Sequence, residues 1–125
     1  MKGILIIMNK TKIIKKNYEF RYILTKGKYY QAKNIEAFIK ENGELNNYNL
    51  LGIAVSVKVG NAVKRNYIKR LIREAYKNLE EFIIPGYSLV FLWKKKIDTK
   101  YANYENVKKD MEEILKKACI LEEII

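Results

Sequence analysis

Residues Leu50 to Leu79, with the sequence LLGIAVSVKVGNAVKRNYIKRLIREAYKNL, decide the fold of this chain. The segment from Leu50 to Val57 is short and mostly β-branched or apolar, and it closes at Lys58-Val59-Gly60, which predicts a buried strand ending in a turn. Asn61 can cap a following helix by accepting a backbone N–H, and the helical pattern continues to about Leu79. The stretch therefore predicts a strand that leads through a turn into a long helix.

This helix has two faces of opposite character when its residues are placed at intervals of about 100°. One arc, roughly 100° wide, is apolar and is expected to pack on the core: it contains Ile68, Leu71, Ile72, Ala75 and Leu79. The opposite arc is polar and basic: it contains Arg65, Asn66, Lys69, Arg70, Arg73 and Lys77. Half of the helix is thus predicted to be core and half a cationic surface.

The density of positive charge on this segment points to a polyanion. Seven basic residues stand against the single acid Glu74: Lys58, Lys64, Arg65, Lys69, Arg70, Arg73 and Lys77. Like charges four residues apart destabilise an isolated helix by a few tenths of a kcal/mol per pair, which bound phosphate would offset. Arginine can also bind phosphate with two hydrogen bonds or stack on a base. A solvated charged face is the alternative explanation, and the local density disfavours it.

The residues before this stretch predict a helix and strands. Residues 9 to 26 are basic, and Phe20, Ile23 and Leu24 recur at helical spacing, so we expect a basic entry segment and a short helix ending before Gly27. Residues 28 to 40 are rich in Tyr, Ile, Phe and Ala with partial alternation, which predicts one or two strands and then a loop.

The residues after it predict one strand and a closing helix. Pro85-Gly86 breaks the helical pattern, Ser88 to Trp93 is hydrophobic, and Tyr104 to Leu121 is amphipathic. The order helix, strands, helix, strand, helix predicts an α+β sandwich with helices against one sheet, in a single domain spanning residues 1 to 125. Met8 offers a second translation start, so residues 1 to 8 are interpreted as a disordered or alternative-start extension.

Composition narrows the classes of function. The formal net charge is +11, which favours a polyanionic partner. The apolar run Ile4 to Met8 is far shorter than the roughly 20 residues of a membrane span, so no membrane association is expected. Histidine is absent, which removes the usual general base and commonest metal ligand, and the lone Cys119, expected to be an inert buried or half-exposed thiol, fits a reducing cytoplasm. We therefore expect no catalytic residue and no metal site in this chain.

The residues Val59-Gly60-Asn61-Ala62-Val63-Lys64-Arg65-Asn66-Tyr67-Ile68-Lys69-Arg70-Leu71-Ile72-Arg73-Glu74-Ala75 resemble the signature of the bacterial ribonuclease P protein family. The match covers these 17 contiguous residues, and Lys15-Lys16-Asn17-Tyr18-Glu19-Phe20 is similar to the first helix of that family. Tyr67 stands where the family usually has a second core arginine, and Val57 where a lysine commonly precedes Lys58. Each departure removes one expected cation.

The resemblance implies a fold like that of a ribosomal small-subunit protein domain, with a four-stranded sheet and a left-handed β-α-β crossover. Reasoning from chain geometry alone favours the opposite hand, because most such crossovers are right-handed.

The resemblance also implies two RNA-binding surfaces. The first, facing the catalytic RNA subunit, comprises Lys58, Asn61, Lys64, Arg65, Asn66, Tyr67, Lys69, Arg70, Arg73 and Lys77. The second is a cleft for the single-stranded 5′ leader of precursor tRNA, comprising Lys16, Phe20, Leu24, Phe38 and Lys94. Trp93 is a further candidate there, and ordinary helix-on-sheet packing is the alternative role of Phe20 and Leu24.

The implied function is that of the protein subunit of ribonuclease P, which assists removal of the tRNA 5′ leader while the RNA, using Mg²⁺, performs the hydrolysis. The expected partners are ribonuclease P RNA and precursor tRNA, with no obligate protein partner, in the cytoplasm. A ribosome- or translation-associated RNA-binding protein of the same fold and a stand-alone nuclease are the two alternatives.

Overall fold

The computed structural model describes residues 10–43 and 47–122. The extension expected over residues 1 to 8 lies outside the described residues. The described strands and helices follow one another as β1 (Thr11–Ile13), α1 (Asn17–Lys26), β2 (Lys28–Gln31), β3 (Ile35–Glu41), β4 (Asn49–Ala54), α2 (Ala62–Leu79), β5 (Tyr87–Trp93) and α3 (Tyr104–Lys117). Single 3₁₀ turns at Glu80–Phe82 and Thr99–Tyr101 follow α2 and precede α3.

Within residues 10–43 and 47–122 the sheet has five strands in the order β1-β4-β5-β3-β2, so the prediction of four strands is wrong by one. The additional strand is β1, which pairs in parallel with β4. A strand of three residues is too short for alternation to reveal it, and its place is fixed by pairing with distant residues. The carbonyl of Lys10 accepts a hydrogen bond from the Asn49 N–H, and the Ile14 N–H donates to the Leu51 carbonyl.

The predicted strand-turn-helix unit is confirmed. Strands β4 and β5 are parallel neighbours, with Leu51 opposite Leu89, and α2 connects them. This β-α-β connection, together with antiparallel pairing of β5 with β3 and of β3 with β2, gives the mixed sheet of an α+β sandwich. The left-handed sense of the crossover stays a prediction.

The larger part of the core lies between α2, α3 and one face of the sheet. Alternate residues of β3 turn inwards there, as period-two geometry requires: Ile35, Ala37 and Ile39. The buried residues of α2 are Ile68, Ile72, Ala75, Tyr76 and Leu79. Four of the five predicted core positions are therefore buried, and Leu71 is only half-buried. Tyr76 is also buried, although it was not among the predicted core positions.

The opposite face of the sheet carries α1. Cross-strand register sets Phe38, Val90 and Gly52 in one row on this face, and Ile23 is the buried residue of the helix. Helix α1 ends at Lys26, directly before Gly27 as predicted. The Gly27 N–H donates to the Ile23 carbonyl at 2.8 Å and closes the last turn. In the described part of the chain, helices therefore cover both faces of the sheet, and α1 is the helix on the second face.

The last helix ends earlier than its sequence pattern suggested. Helix α3 stops at Lys117 rather than near Leu121, and Cys119 adopts a left-handed φ of 62° that redirects the chain. Leu121 then pairs with Ile83 in an isolated bridge. The Cys119 side chain is exposed, so the expectation of a buried or half-exposed thiol is wrong. In the part of the chain that the structure describes, no helix has the length and apolar character needed to cross a membrane.

Candidate nucleic-acid interface

The N-terminus of α2 is capped as predicted and carries no acid. The Oδ1 atom of Asn61 accepts a hydrogen bond from the Lys64 N–H at 2.9 Å, and the first turn contains no Asp or Glu. The partial positive charge of a helix N-terminus is therefore reinforced by Lys64 and not cancelled by a neighbouring carboxylate. Such an end favours an anion.

Arg65 is held in place by the turn that precedes the helix. Its Nη1 atom donates to the carbonyl of Gly60 at 2.7 Å, and the side chain is half-buried. The turn itself is closed by Ser56, whose hydroxyl accepts from the Lys58 N–H at 3.1 Å. Arg65 therefore presents its remaining guanidinium donors from a fixed position, with less side-chain freedom left to lose on binding.

The other predicted cations lie on the solvent side of α2 or, in the case of Lys58, in the turn before it. Lys69 is half-buried, and the following side chains are exposed: Lys58, Lys64, Arg70, Arg73 and Lys77. Among residues 10–43 and 47–122, the two ion pairs are Lys108 with Glu112 and Lys117 with Glu113, both within α3. None of the basic residues of α2 is neutralised by a carboxylate there. We call this surface, from Lys58 to Lys77, the basic face.

Tyr67 lies on the edge of the basic face. It is 40% exposed, and the Arg70 guanidinium carbon lies 5.5 Å from the centre of its ring. At this distance the cation is attracted by the ring electrons, which orders both side chains. Asn66 is exposed beside them, and Val57, the other departure from the family signature, is an exposed apolar side chain in the turn before the helix.

Phe20 packs directly on the sheet over a glycine. A Cβ atom added at Gly52 would lie 2.8 Å from Cε2 of Phe20 and 3.3 Å from a methyl group of Val90. The ring is only half-buried, so one part of it contacts the strands and another part is open to solvent. Gly52 therefore creates the space that lets α1 approach β4 at this point.

The aromatic surface continues from Phe20 across the sheet. Phe38 faces the same side, and its ring centre lies 5.2 Å from that of Tyr29 at an interplanar angle of 53°. The Tyr29 hydroxyl donates to Glu36 Oε1 at 2.6 Å, and this hydrogen bond raises the pKa of Tyr29 to about 12. Tyr29 was missed by sequence reasoning, although its position opposite Phe38 in a hairpin could have suggested it. We use the name α1 cleft for the aromatic surface beside α1 that is formed by Phe20, Phe38 and Tyr29.

The remaining predicted cleft residues lie on or next to α1 and after the end of β5. Lys16 is exposed at the start of α1, with its ammonium 5.7 Å from the Tyr18 ring centre, and Leu24 is half-buried on the same helix. Lys94 follows the end of β5 and donates its backbone N–H to the Asn34 carbonyl.

Trp93 is not a cleft residue, and the interpretation of it as an RNA contact is wrong. It is 1% exposed in the core formed with α2 and α3, and its indole N–H donates to the Ile97 carbonyl at 2.9 Å. Burial of the ring with its polar atom satisfied explains why a tryptophan beside three lysines does not point outwards.

A hollow beside the basic face is lined by three residues that belong to neither predicted surface. Glu74, Asn78 and Tyr104 line a hollow of about 430 Å³ together with Tyr67, Arg70 and Leu71. The helical spacing of Glu74 and Asn78 after Tyr67 could have placed them on one stripe, whereas Tyr104 comes from the start of α3 and is brought there only by the fold. Within the described residues, no group of three or more His, Cys, Asp and Glu is arranged to hold a metal ion.

Known proteins match this chain along most of its length. The family model described as Ribonuclease P matches residues 8–119. The ribonuclease P protein component of Clostridioides difficile is 37% identical over 113 residues, covering 90% of this chain and 96% of that protein. That of Clostridium botulinum strain 657 is 40% identical over 108 residues, with 86% and 94% covered.

Solved structures agree with the sequence matches. The RNase P protein of Staphylococcus aureus superposes with a TM-score of 0.75 at 31% identity, covering 88% of this chain and 97% of its own. That of Thermotoga maritima gives a TM-score of 0.74 at 27% identity, with 85% and 96% covered. The fold, the signature on α2 and the extent of these matches agree, and the chain therefore belongs to the bacterial ribonuclease P protein family.

Proposed function

We propose how this chain acts as the protein subunit of ribonuclease P in tRNA 5′ leader processing. The basic face binds the catalytic RNA, and the α1 cleft holds the leader. The RNA cleaves the phosphodiester bond. The observation that carries this proposal is the basic face itself, whose cations have no carboxylate partner among the described residues. The family match disfavours the alternative of a ribosome-associated protein of the same fold.

The basic face has the properties of a phosphate-binding surface. Its cations follow one side of a single helix of 18 residues, so they can meet successive phosphates of a structured RNA. Binding would release counterions and relieve the repulsion between cations four residues apart. Arg65, fixed by Gly60, and the capped N-terminus with Lys64 supply directed donors at one end of this surface.

The α1 cleft has the properties of a single-strand site. Unpaired bases stack on aromatic rings for about 1–3 kcal/mol each, and Phe20, Phe38 and Tyr29 offer ring surface beside the basic Lys16. Duplex RNA hides its base faces, so a surface with partly accessible rings would select the unpaired leader over the mature tRNA stem. Lys94 would contact the leader backbone at the far end.

The chemistry is assigned to the RNA subunit. The chain has no histidine. The pKa values of Tyr29 and Tyr76 are both raised to about 12, so these hydroxyls stay protonated at neutral pH and do not suit a general base. Mg²⁺ held by the RNA would supply the activated water and stabilise the leaving oxygen. The protein then contributes substrate binding and assembly in the cytoplasm, with no second protein chain required.

Reconstitution tests this proposal. A bacterial ribonuclease P RNA is assayed on precursor tRNA at low Mg²⁺ with and without this chain, which is the only protein added. We expect stimulation by the wild-type chain and much less by a Lys69→Ala, Arg70→Ala, Arg73→Ala triple variant. Absence of stimulation by the wild-type chain refutes the proposed function, and equal stimulation by the triple variant refutes the role of the basic face. Cleavage by the RNA-free protein with Mg²⁺ would support a stand-alone nuclease.

A further inference from the structure

We propose that the hollow between α2 and α3 is a binding site for one unpaired guanine base of the ribonuclease P RNA. This inference rests on the proposed role of the basic face, because the hollow adjoins that face. Its walls are Tyr67, Arg70, Leu71, Glu74, Asn78 and Tyr104.

The position of the hollow ties it to the RNA surface. Tyr67, Leu71, Glu74 and Asn78 follow one another at spacings of three or four along α2, so they form a stripe between the basic face and the buried side of the helix. Tyr104, at the N-terminus of α3, closes the opposite wall. An RNA strand bound along the basic face would therefore pass the mouth of the hollow.

The size and lining of the hollow fit a base. Its volume of about 430 Å³ lies within the range of roughly 300–1,000 Å³ found for small-molecule sites. Tyr67 supplies a partly exposed ring whose orientation is stabilised by Arg70, and such a ring can stack on a base. Leu71 is half-buried and adds an apolar contact.

The one acid of the basic segment decides what the hollow accepts. Glu74 is the only Asp or Glu between Lys58 and Lys77, and it lines the hollow. A carboxylate repels phosphate but accepts hydrogen bonds from N–H groups, so the hollow favours a base over the RNA backbone. Guanine presents two adjacent N–H donors, at N1 and N2, on its Watson–Crick edge, and a carboxylate with two oxygens can accept both.

Asn78 on α2 and Tyr104 on α3 offer further polar groups to a base in the hollow. The Asn78 side-chain amide donates to the Tyr104 hydroxyl, so the hydroxyl proton of Tyr104 and the Oδ1 atom of Asn78 are not used in this hydrogen bond. A purine carbonyl or ring nitrogen can accept from that hydroxyl. The pair also links α2 to α3 at the mouth of the hollow.

Affinity measurements with the full chain and a bacterial ribonuclease P RNA test the stacking role. We expect Tyr67→Ala to weaken binding by roughly 5- to 150-fold with no change in the salt dependence, because stacking releases no counterions. Tyr67→Phe keeps the ring and should bind like wild type. Tyr22→Ala, an exposed helical tyrosine beside Lys40 on the other side of the sheet, is the matched control and should have no effect.

Chemical footprinting tests the identity of the base. Kethoxal modifies N1 and N2 of unpaired guanine, so the bound wild-type chain should protect one guanine that becomes reactive again with Tyr67→Ala and with Glu74→Gln. Protection that is unchanged in both variants, or unchanged RNA affinity of a folded Tyr67→Ala protein, overturns the guanine site. If the wild-type chain does not bind the RNA at all, the proposed role of the basic face fails first, so the two failures are distinguishable.

Discussion

The hydroxyl groups of Thr11 and Tyr76 lie 2.8 Å apart in the interior of the protein, where they join β1 to the last turn of α2. The Asn49 side-chain amide approaches the same phenol at 3.5 Å, and its Oδ1 atom accepts from the Tyr87 N–H. One buried phenol thus connects the first strand, two central strands and the helix that carries the basic face. The strand that sequence reasoning missed is part of this connection.

Tyr76→Phe should make stability less dependent on alkaline pH. Burial raises the pKa of Tyr76 to about 12 from an ordinary value of 10.0. The folded state therefore keeps its proton while the unfolded state loses it, so this stabilisation is complete below pH 10 and declines between pH 10 and 12. The decline amounts to about 1.4 kcal/mol at pH 11.

At neutral pH the same variant should be less stable by about 1 kcal/mol, because Thr11 and Asn49 lose a buried partner. Urea denaturation at several pH values measures both effects. The gap between wild type and variant should close near pH 11, and a gap that stays constant with pH contradicts the prediction.

Asn61→Ala should destabilise the protein by about 1 kcal/mol, because the Lys64 N–H loses its side-chain acceptor. Thermal unfolding followed by circular dichroism would show a melting temperature lower by roughly 4 °C. Asn61→Ser, which retains an acceptor oxygen, is the control and should restore most of the loss. Equal losses in the two variants would mean that the cap does not stabilise α2.

Gly52→Ala should destabilise the protein by about 1–3 kcal/mol, because the new methyl group would overlap the Phe20 ring. In a Phe20→Ala background that ring is absent, so the same change should have a much smaller effect. Denaturant unfolding of the two single variants and the double variant measures this coupling. Additive losses would show that Phe20 does not lie on Gly52 in solution.

Arg73→Ala should weaken binding of ribonuclease P RNA and lower the steepness of its salt dependence by about one unit on a log-log plot, as expected for the loss of one phosphate contact. Arg73 is exposed and makes no ion pair among the described residues, so the fold should be unaffected. Lys116→Ala, which removes an exposed charge from α3, is the matched control. Equal slopes for Arg73→Ala and wild type would remove Arg73 from the interface.

Phe20→Ala should weaken the binding of precursor tRNA to the holoenzyme by roughly 5- to 150-fold, the loss expected for one base–ring stack. Mature tRNA, which lacks the leader, should bind the variant and the wild type equally. Competition binding with both tRNAs measures the difference. Equal weakening for the two substrates would instead assign Phe20 to the core.

Local patterns were enough to predict the elements around the basic face. The strand β4, the Asn61 cap and the apolar stripe of α2 depend on neighbours within a few residues, so their sequence contains the necessary information. The end of α1 at Gly27 is also local. The predicted basic residues of α2 therefore lie on one side of the helix, and their role in binding RNA stays a prediction.

The errors arose where distant residues decide the outcome. Strand β1 exists because β4 has an open edge to pair with, and Trp93 turns inwards because it belongs to the core formed with α2 and α3. Tyr76 is buried because Thr11 and Asn49 meet its hydroxyl, and Tyr104 reaches the hollow only through packing of α3 on α2. None of these partners is visible in a window of sequence around the residue concerned.

The position of β5 has a consequence for biosynthesis. It is the last strand that the structure describes, but it lies between β4 and β3 and so joins the parallel pair of β1 and β4 to the hairpin of β2 and β3. Until residue 93 has left the ribosome, these two halves have no strand to connect them, and each exposes an unpaired edge. The nascent chain therefore completes its sheet in one late step, when more than three-quarters of the protein has already been made.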